Sequence, residues 1–426
     1  MPRFTYAAAL SLLLVVALAG CTGPTGEPTR AATATATEKS TDNEAPRTEL
    51  AAGVASVVES AMAEMHLKAV IVEVRIGGET LISEAWGESM TEVPATTDMH
   101  FRNGAVAFSY ISNLLLQYVD DGSLSLDDTI DQWVPELPES DKVTLLMLTN
   151  QTTGYPDFEQ NADWLAAYNA DPFHLFTYEE RIDYAFSTPL QFEPGTNWSY
   201  AHTNFMILGH ILEKVAGRPL DEQIQDKVLT PMGLTETAAY TTSFIPEPVL
   251  HAFSSERRRA LGVPAGVAFT EESSFWNPAW GTPIGLAQTT TISDMATTAI
   301  AIGTGELLSD ESFHAMTDSN LIGFGEKLPS CEPSCFTQVD AYNYGLGVVR
   351  SGEWMLQNPL LSGYSAAEAY LPSEKISIAV ANTFEPEAFD CNGIYDNTAD
   401  TLFRLIAAHI VPDDAPPTAP PSEPKC

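Results

Sequence analysis

Apolar residues recur at helical spacing between positions 106 and 119. Val106, Tyr110, Ile111, Leu114, Leu115, Tyr118 and Val119 form one stripe, which predicts a buried amphipathic helix. Asp120-Asp121-Gly122 follows as its stop. A second stripe, Phe205, Ile207, Leu208, Ile211, Leu212 and Val215, predicts another helix that ends at Gly217. A helix is also expected from about Glu49 to His66. Two strand-like runs follow, Ala69 to Ile76 and Glu79 to Ala85, joined by a Gly77-Gly78 turn suited to a hairpin. Tyr344-Gly345-Leu346-Gly347 and Ile376 to Thr383 read as returning strands, and Thr401 to Ile410 as a closing helix. The expected fold class is therefore α+β.

Composition sets the broad class. The chain has 426 residues, 44% of them hydrophobic, enough for a sizeable core. Its formal net charge of −37 repels nucleic acid and anionic membrane surfaces. At the N-terminus, Arg3 precedes an apolar run from Ala7 to Ala19. That run is shorter than the ~20 residues a spanning helix needs. It ends Leu18-Ala19-Gly20-Cys21, which resembles a bacterial lipobox. The resemblance implies a signal peptide over 1–20 and a lipid anchor on Cys21. The protein would then be exported and held at the outer face of the cell membrane. Residues 21–48, rich in Thr, Ala, Pro and Ser, read as a flexible tether. The folded domain is expected over 49–411, and the Pro-rich stretch 412–426 is expected to stay disordered.

Four further cysteines, Cys331, Cys335, Cys391 and Cys426, allow three pairings. Cys331 and Cys335 enclose Glu332-Pro333-Ser334 and suit a small local bridge. Neither a His nor a second Cys pair lies at ligand spacing, so no metal site is expected. No cofactor is implied.

The stretch Phe101-Arg102-Asn103-Gly104-Ala105-Val106-Ala107-Phe108 resembles the active-site helix of the serine β-lactamase-like hydrolases. These include class C β-lactamases, D-Ala-D-Ala carboxypeptidases and related esterases. The family reads roughly Phe-Arg-Ile-Gly-Ser-x-x-Lys there, with Ser as acylated nucleophile and Lys as its proton acceptor. Further similar segments are Gly122 to Asp128, Leu148 to Asp157, Phe192 to Tyr200, Pro231 to Thr237 and residues 281–307 with Thr290, Thr291 and Asp294 at its turn. The Asp127-Asp128 pair reads as a turn cap rather than paired catalytic acids. The resemblance covers roughly residues 50–410. It implies a β-lactamase/penicillin-binding-protein-like fold, an antiparallel sheet flanked by helices, with a helical subdomain over about 110–290.

The scaffold is kept and the chemistry departs from it. The Ser and Lys positions are Ala105 and Phe108; a methyl group cannot attack a carbonyl and a phenyl ring cannot accept a proton. The family's Tyr-x-Asn reads Tyr200-Ala201-His202, and its Lys-Thr-Gly or His-Thr-Gly reads Gln357-Asn358-Pro359. Among eight Lys, only Lys425 has a Ser three residues before it, Ser422 in the Pro-rich tail. Ser109 is expected to bond back to its own helix. Ser365, in Gly363-Tyr364-Ser365-Ala366-Ala367, lacks the setting of a nucleophile elbow. Tyr200 and His202 together form a conceivable acid–base pair. Tyr200, His202, Gln357 and Asn358 are the expected cleft-binding residues.

Three readings follow. The first is a membrane-anchored pseudoenzyme whose cleft binds a cell-wall peptide or an envelope protein. The second is a hydrolase using Ser109 or the Tyr200/His202 pair on esters or amides. The third is a structural envelope protein with a closed cleft.

Overall fold

The computed structural model describes residues 44–240, 242–277, 288–318 and 321–418. The expected signal peptide and Cys21 lie outside these residues, as do 281–287, Ser422, Lys425 and Cys426. Helix α1 (Glu44–Met65) starts inside the stretch read as tether. Val54, Val58 and Ala61 form its buried stripe. Strand β1 (Leu67–Ile76) turns back through Gly77 and Gly78, both with positive φ, into β2 (Glu79–Met90), which pairs with the short β3 (Val93–Pro94). Strand β4 (Phe101–Arg102) leads into α2 (Val106–Asp120), whose predicted stripe is buried from Val106 to Tyr118 and partly buried at Val119.

The helical part follows. It holds α3 (Leu145–Thr149), α4 (Ala162–Ala170), α5 (Tyr178–Ala185), α6 (His202–Ala216) and α7 (Leu220–Ile224). Two ribbons come next: β5 (Phe253–Ser254) pairs β6 (Glu271–Glu272), and β7 (Thr289–Thr290) returns to pair β4. Helices α8 (Ile292–Thr304) and α9 (Asp310–Thr317) precede the C-terminal strands. These are β8 (Asn343–Tyr344), β9 (Val349–Ser351), β10 (Trp354–Gln357), β11 (Leu360–Leu361), β12 (Tyr364–Leu371) and β13 (Ile376–Phe384). Helix α10 (Thr398–Ile410) closes the domain; Asn397 caps it by accepting from the Asp400 backbone N–H.

One antiparallel sheet organises these pieces, in the order β3-β2-β1-β13-β12-β10-β9-β8 with β11 beside β12. The N-terminal hairpin and the C-terminal strands meet at β1 and β13, with Val72 opposite Val380. Successive side chains on a strand point to opposite faces. Ser365 and Asn382 face α10, where they bond Ala399 N and the Thr398 hydroxyl. Tyr370, of the other parity, lies against Gly303 of α8. The sheet is thus covered on both sides, and β12 and β13 are buried throughout.

The stretch from Pro412 does not behave as expected where it is described. Pro412–Asp414 forms a short turn, and the Trp354 indole N–H donates to Asp414 O at 2.8 Å. Arg404 donates to Pro417 O at 2.5 Å. Proline lacks a donor, but carbonyls along such a stretch still accept. Among the described residues no helix is long and apolar enough to cross a membrane.

Candidate functional site

The start of α2 is where the three family segments meet. Gly104 has φ +52, and a Cβ there would lie 2.6 Å from Pro359 and 2.5 Å from Leu361. Only glycine fits this approach, so the segment around Gln357 is pressed against the first turn of α2. Ala105 stands at the N-cap of α2, partly exposed and without a capping side chain. Its methyl group occupies the nucleophile position.

Phe108 is 1% exposed. Its ring stacks on Phe205 of α6 with centroids 4.0 Å apart and planes 4° apart. It meets His202 edge-on at 5.8 Å and Tyr200 at 6.0 Å. The place of a charged lysine is therefore filled by an aromatic cluster. Gly347 passes close beneath, where a Cβ would lie 2.6 Å from Phe108 O.

Tyr200 is half-buried, rests its ring near Tyr344, and has its phenol pushed well above the usual range by burial. His202, the first residue of α6, is anchored from another segment. Its Nδ1 lies 2.9 Å from Asp157 Oδ2 and 3.3 Å from Glu159 Oε2. Burial by itself would lower the imidazole pKa, but the Glu159 and Asp157 carboxylates outweigh it and hold the ring protonated, above the usual histidine range. Burial raises the Glu159 carboxyl, with His202 pulling the other way. A ring that donates from Nδ1 and stays protonated has no lone pair for general-base work. The two carboxylates beside His202 thus favour its protonated form, which works against the proton-acceptor role of a Tyr/His pair.

Gln357 lies opposite Glu368 in the β10–β12 ladder and shares its face, the one toward α8. It is 2% exposed and donates from Nε2 to Gly347 O at 2.5 Å. It braces the loop under Phe108 instead of lining an open cleft. Asn358, next along the chain, points to the opposite face as alternation requires. Its Nδ2 donates to Asp400 of α10 at 3.2 Å, so it is not a cleft residue. Ser109 is fully buried and donates to Val106 O at 2.7 Å. Ser365 is also buried, bonded to Asn397 on the α10 side. Neither hydroxyl reaches the site. Asp128 caps its turn by accepting from Ser125 N. Cys331 and Cys335 form the expected local disulfide, with Cα atoms 5.5 Å apart. No group of three metal-ligating side chains occurs among the described residues.

Asp157 and Glu159 are the site residues that sequence reading missed. Asp157 closes the Leu148 to Asp157 segment, but its partner stands 45 positions away. The one available signal was a histidine in place of an uncharged Asn, which calls for a nearby anion.

Comparison with known proteins agrees with this fold. The family profile described as Beta-lactamase matches residues 54–402. Penicillin-binding protein 4* of Bacillus subtilis is 28% identical over 179 residues, 41% of this chain and 39% of that protein. A putative D-alanyl-D-alanine carboxypeptidase of Escherichia coli is 30% identical over 157 residues, 34% of this chain and 35% of its own length. The matches therefore span under two-fifths of these relatives. Among solved structures, a D-stereospecific amidohydrolase from a Streptomyces species superposes with a TM-score of 0.69 at 21% identity, covering 85% of this chain and 99% of that one. The shared fold is that of the β-lactamases and penicillin-binding proteins.

Proposed function

The chain belongs to the beta-lactamase family, and we propose that within it this protein is a non-hydrolysing, cleft-bearing member that binds a cell-wall peptide or an envelope protein partner. Export and a lipid on Cys21 would hold it at the outer face of the bacterial cell membrane. One observation carries the reading: Ala105 and Phe108 stand at the nucleophile and base positions, and the Phe108 ring is packed face to face on Phe205. Loss of the charge is matched by gain of packing, the direction expected when a destabilising active site is given up. The partly exposed Tyr200 and His202 keep a polar wall beside Ala105, which favours binding over a purely structural role. The names of the relatives, a penicillin-binding protein and a D-alanyl-D-alanine carboxypeptidase, suggest the probe.

Thermal unfolding is to be followed with a peptide ending in D-alanyl-D-alanine. The reading expects a rise in Tm that is lost in Tyr200→Ala and in His202→Ala. A rise indifferent to both substitutions, or no rise with any cell-wall fragment or envelope protein, would contradict it.

A further inference from the structure

Cys391 is disulfide-bonded. Cys331 and Cys335 bond each other, so the partner of Cys391 is Cys21 or Cys426. The fold around Cys391 separates the two.

Cys391 stands exposed at the tip of the loop over 385–397. Asp390 Oδ1 accepts from the backbone N–H groups of Asn392 and Ile394, both at 2.8 Å, and closes the tip into a tight turn. Gly393 lies so close to Ser255 O that a Cβ would overlap it. Phe389 and Tyr395 pack on Phe384 of β13 at the base. The cysteine is therefore held in one place, and its partner must come to it.

The loop begins at the C-terminal end of α1, where the Glu385 N–H donates to His66 O at 2.9 Å. The chain from Cys21 joins α1 at its other end, Glu44, about 30 Å away at 1.5 Å per residue. The lipid proposed for Cys21 would also occupy its sulfur. Cys426 approaches from nearer. Pro417 is held by Arg404 of α10, and Thr398, which follows the loop, is only about 9 Å further back along that helix. Residues 418–426 supply up to about 30 Å of extended chain, enough for the return. Charge favours the same pairing. The loop carries Glu385, Glu387, Asp390 and Asp396 and no base, and Lys425 stands beside Cys426.

We infer that Cys426 is the partner of Cys391, and that the bond straps residues 418–426 back along α10. The ring so closed contains α10 and the carbonyls that Trp354 and Arg404 hold. The bond forms by two exchanges with an external disulfide. One thiolate attacks it, gives a mixed disulfide and releases one thiol. The second cysteine thiolate then attacks the mixed disulfide and releases the other thiol. Two S–H bonds are lost, one S–S bond forms, and the external disulfide takes up the two hydrogens. The inference goes beyond the cleft reading and rests on the export proposed with it, since an oxidising compartment supplies the external disulfide.

The test equilibrates the whole chain with glutathione disulfide and cleaves it after glutamate without reductant. Fragment 388–423 should be recovered joined to 424–426, two hydrogens lighter than their sum, and should separate on reduction. Cys391→Ser, Cys426→Ser and the double variant should each lose the same several degrees of Tm, because one constraint is removed in all three. Free thiols at Cys391 and Cys426 after oxidation, Cys391 joined to another cysteine, or losses of Tm that add in the double variant overturn the inference. If Cys21 is the cysteine joined, the lipid anchor falls with it. If the 391–426 link is found while Cys21 carries no lipid, the strap stands and the anchor alone falls.

Discussion

Phe108 is the residue at which loss of chemistry and gain of stability can be separated. Its ring is stacked on Phe205 and almost wholly buried. Phe108→Ala should cost about 3–5 kcal/mol in denaturant unfolding, the range for a large-to-small change in a tight core. Phe108→Lys should cost at least as much, because the ammonium enters an aromatic cluster that also faces the protonated His202. A cost under about 1 kcal/mol for either would show that the ring does not fill the space as described. His202 supplies a pH-dependent term. Its folded pKa is raised, so its contribution is complete below the unfolded value of about 6.5 and declines as pH rises through the folded pKa. The stability gap between the parent and His202→Asn should stay flat from pH 5.5 to 6.5 and then shrink by up to about 1.4 kcal/mol per pH unit. A gap that widens above pH 7 would refute the ion-pair role. The loss at Ala105 and Phe108 was legible because the flanking residues kept the family frame. The Asp157–Glu159–His202 cluster was not, since no local spacing encodes a contact between distant segments.

Among the elements, α2 and β12 carry the most constraint. Gly104 admits β11 and Pro359 against the N-terminus of α2, and its φ is positive. Gly104→Ala should therefore destabilise by more than about 2 kcal/mol, from strain and clash together, and a near-neutral result would mean the α2–β11 approach is looser. Glu368, on the α8 face of β12, is 2% exposed, and burial raises its carboxyl to about 8. A raised carboxyl stays protonated in the fold while the unfolded chain ionises, so stability should fall as pH climbs from about 4.5 toward 8. Glu368→Gln should remove that slope and stabilise the protein by roughly 1–3 kcal/mol at pH 8; an unchanged slope would assign it to other groups. Helical periodicity located α2 and α6 well, although both are buried beyond the apolar stripe that marked them. Boundaries were less legible. Helix α1 starts at Glu44 and α10 at Thr398, where the Asn397 cap rather than an apolar residue marks the start. The face of Asn358 followed from strand alternation only once β10 was known to end at Gln357.

At the scale of the whole molecule, the sheet joins both ends of the domain through β1 and β13, so the fold cannot be divided between an N-terminal and a C-terminal half. The described part of the Pro-rich stretch adds to that closure through Trp354 and Arg404. Its proline content marked it as disordered, because its contacts are made by carbonyls, which carry no side-chain signature. With Ala105 and Phe108 at the nucleophile and base positions, this scaffold is expected to perform no acyl transfer. Intact mass after incubation with a fluorescent penicillin and with a fluorophosphonate, run beside an ester-hydrolysis assay, tests it most directly. The mass should stay unmodified by either reagent, and the ester should not be turned over. A covalent adduct on any serine of the folded domain, with turnover abolished when that serine is replaced, would contradict it.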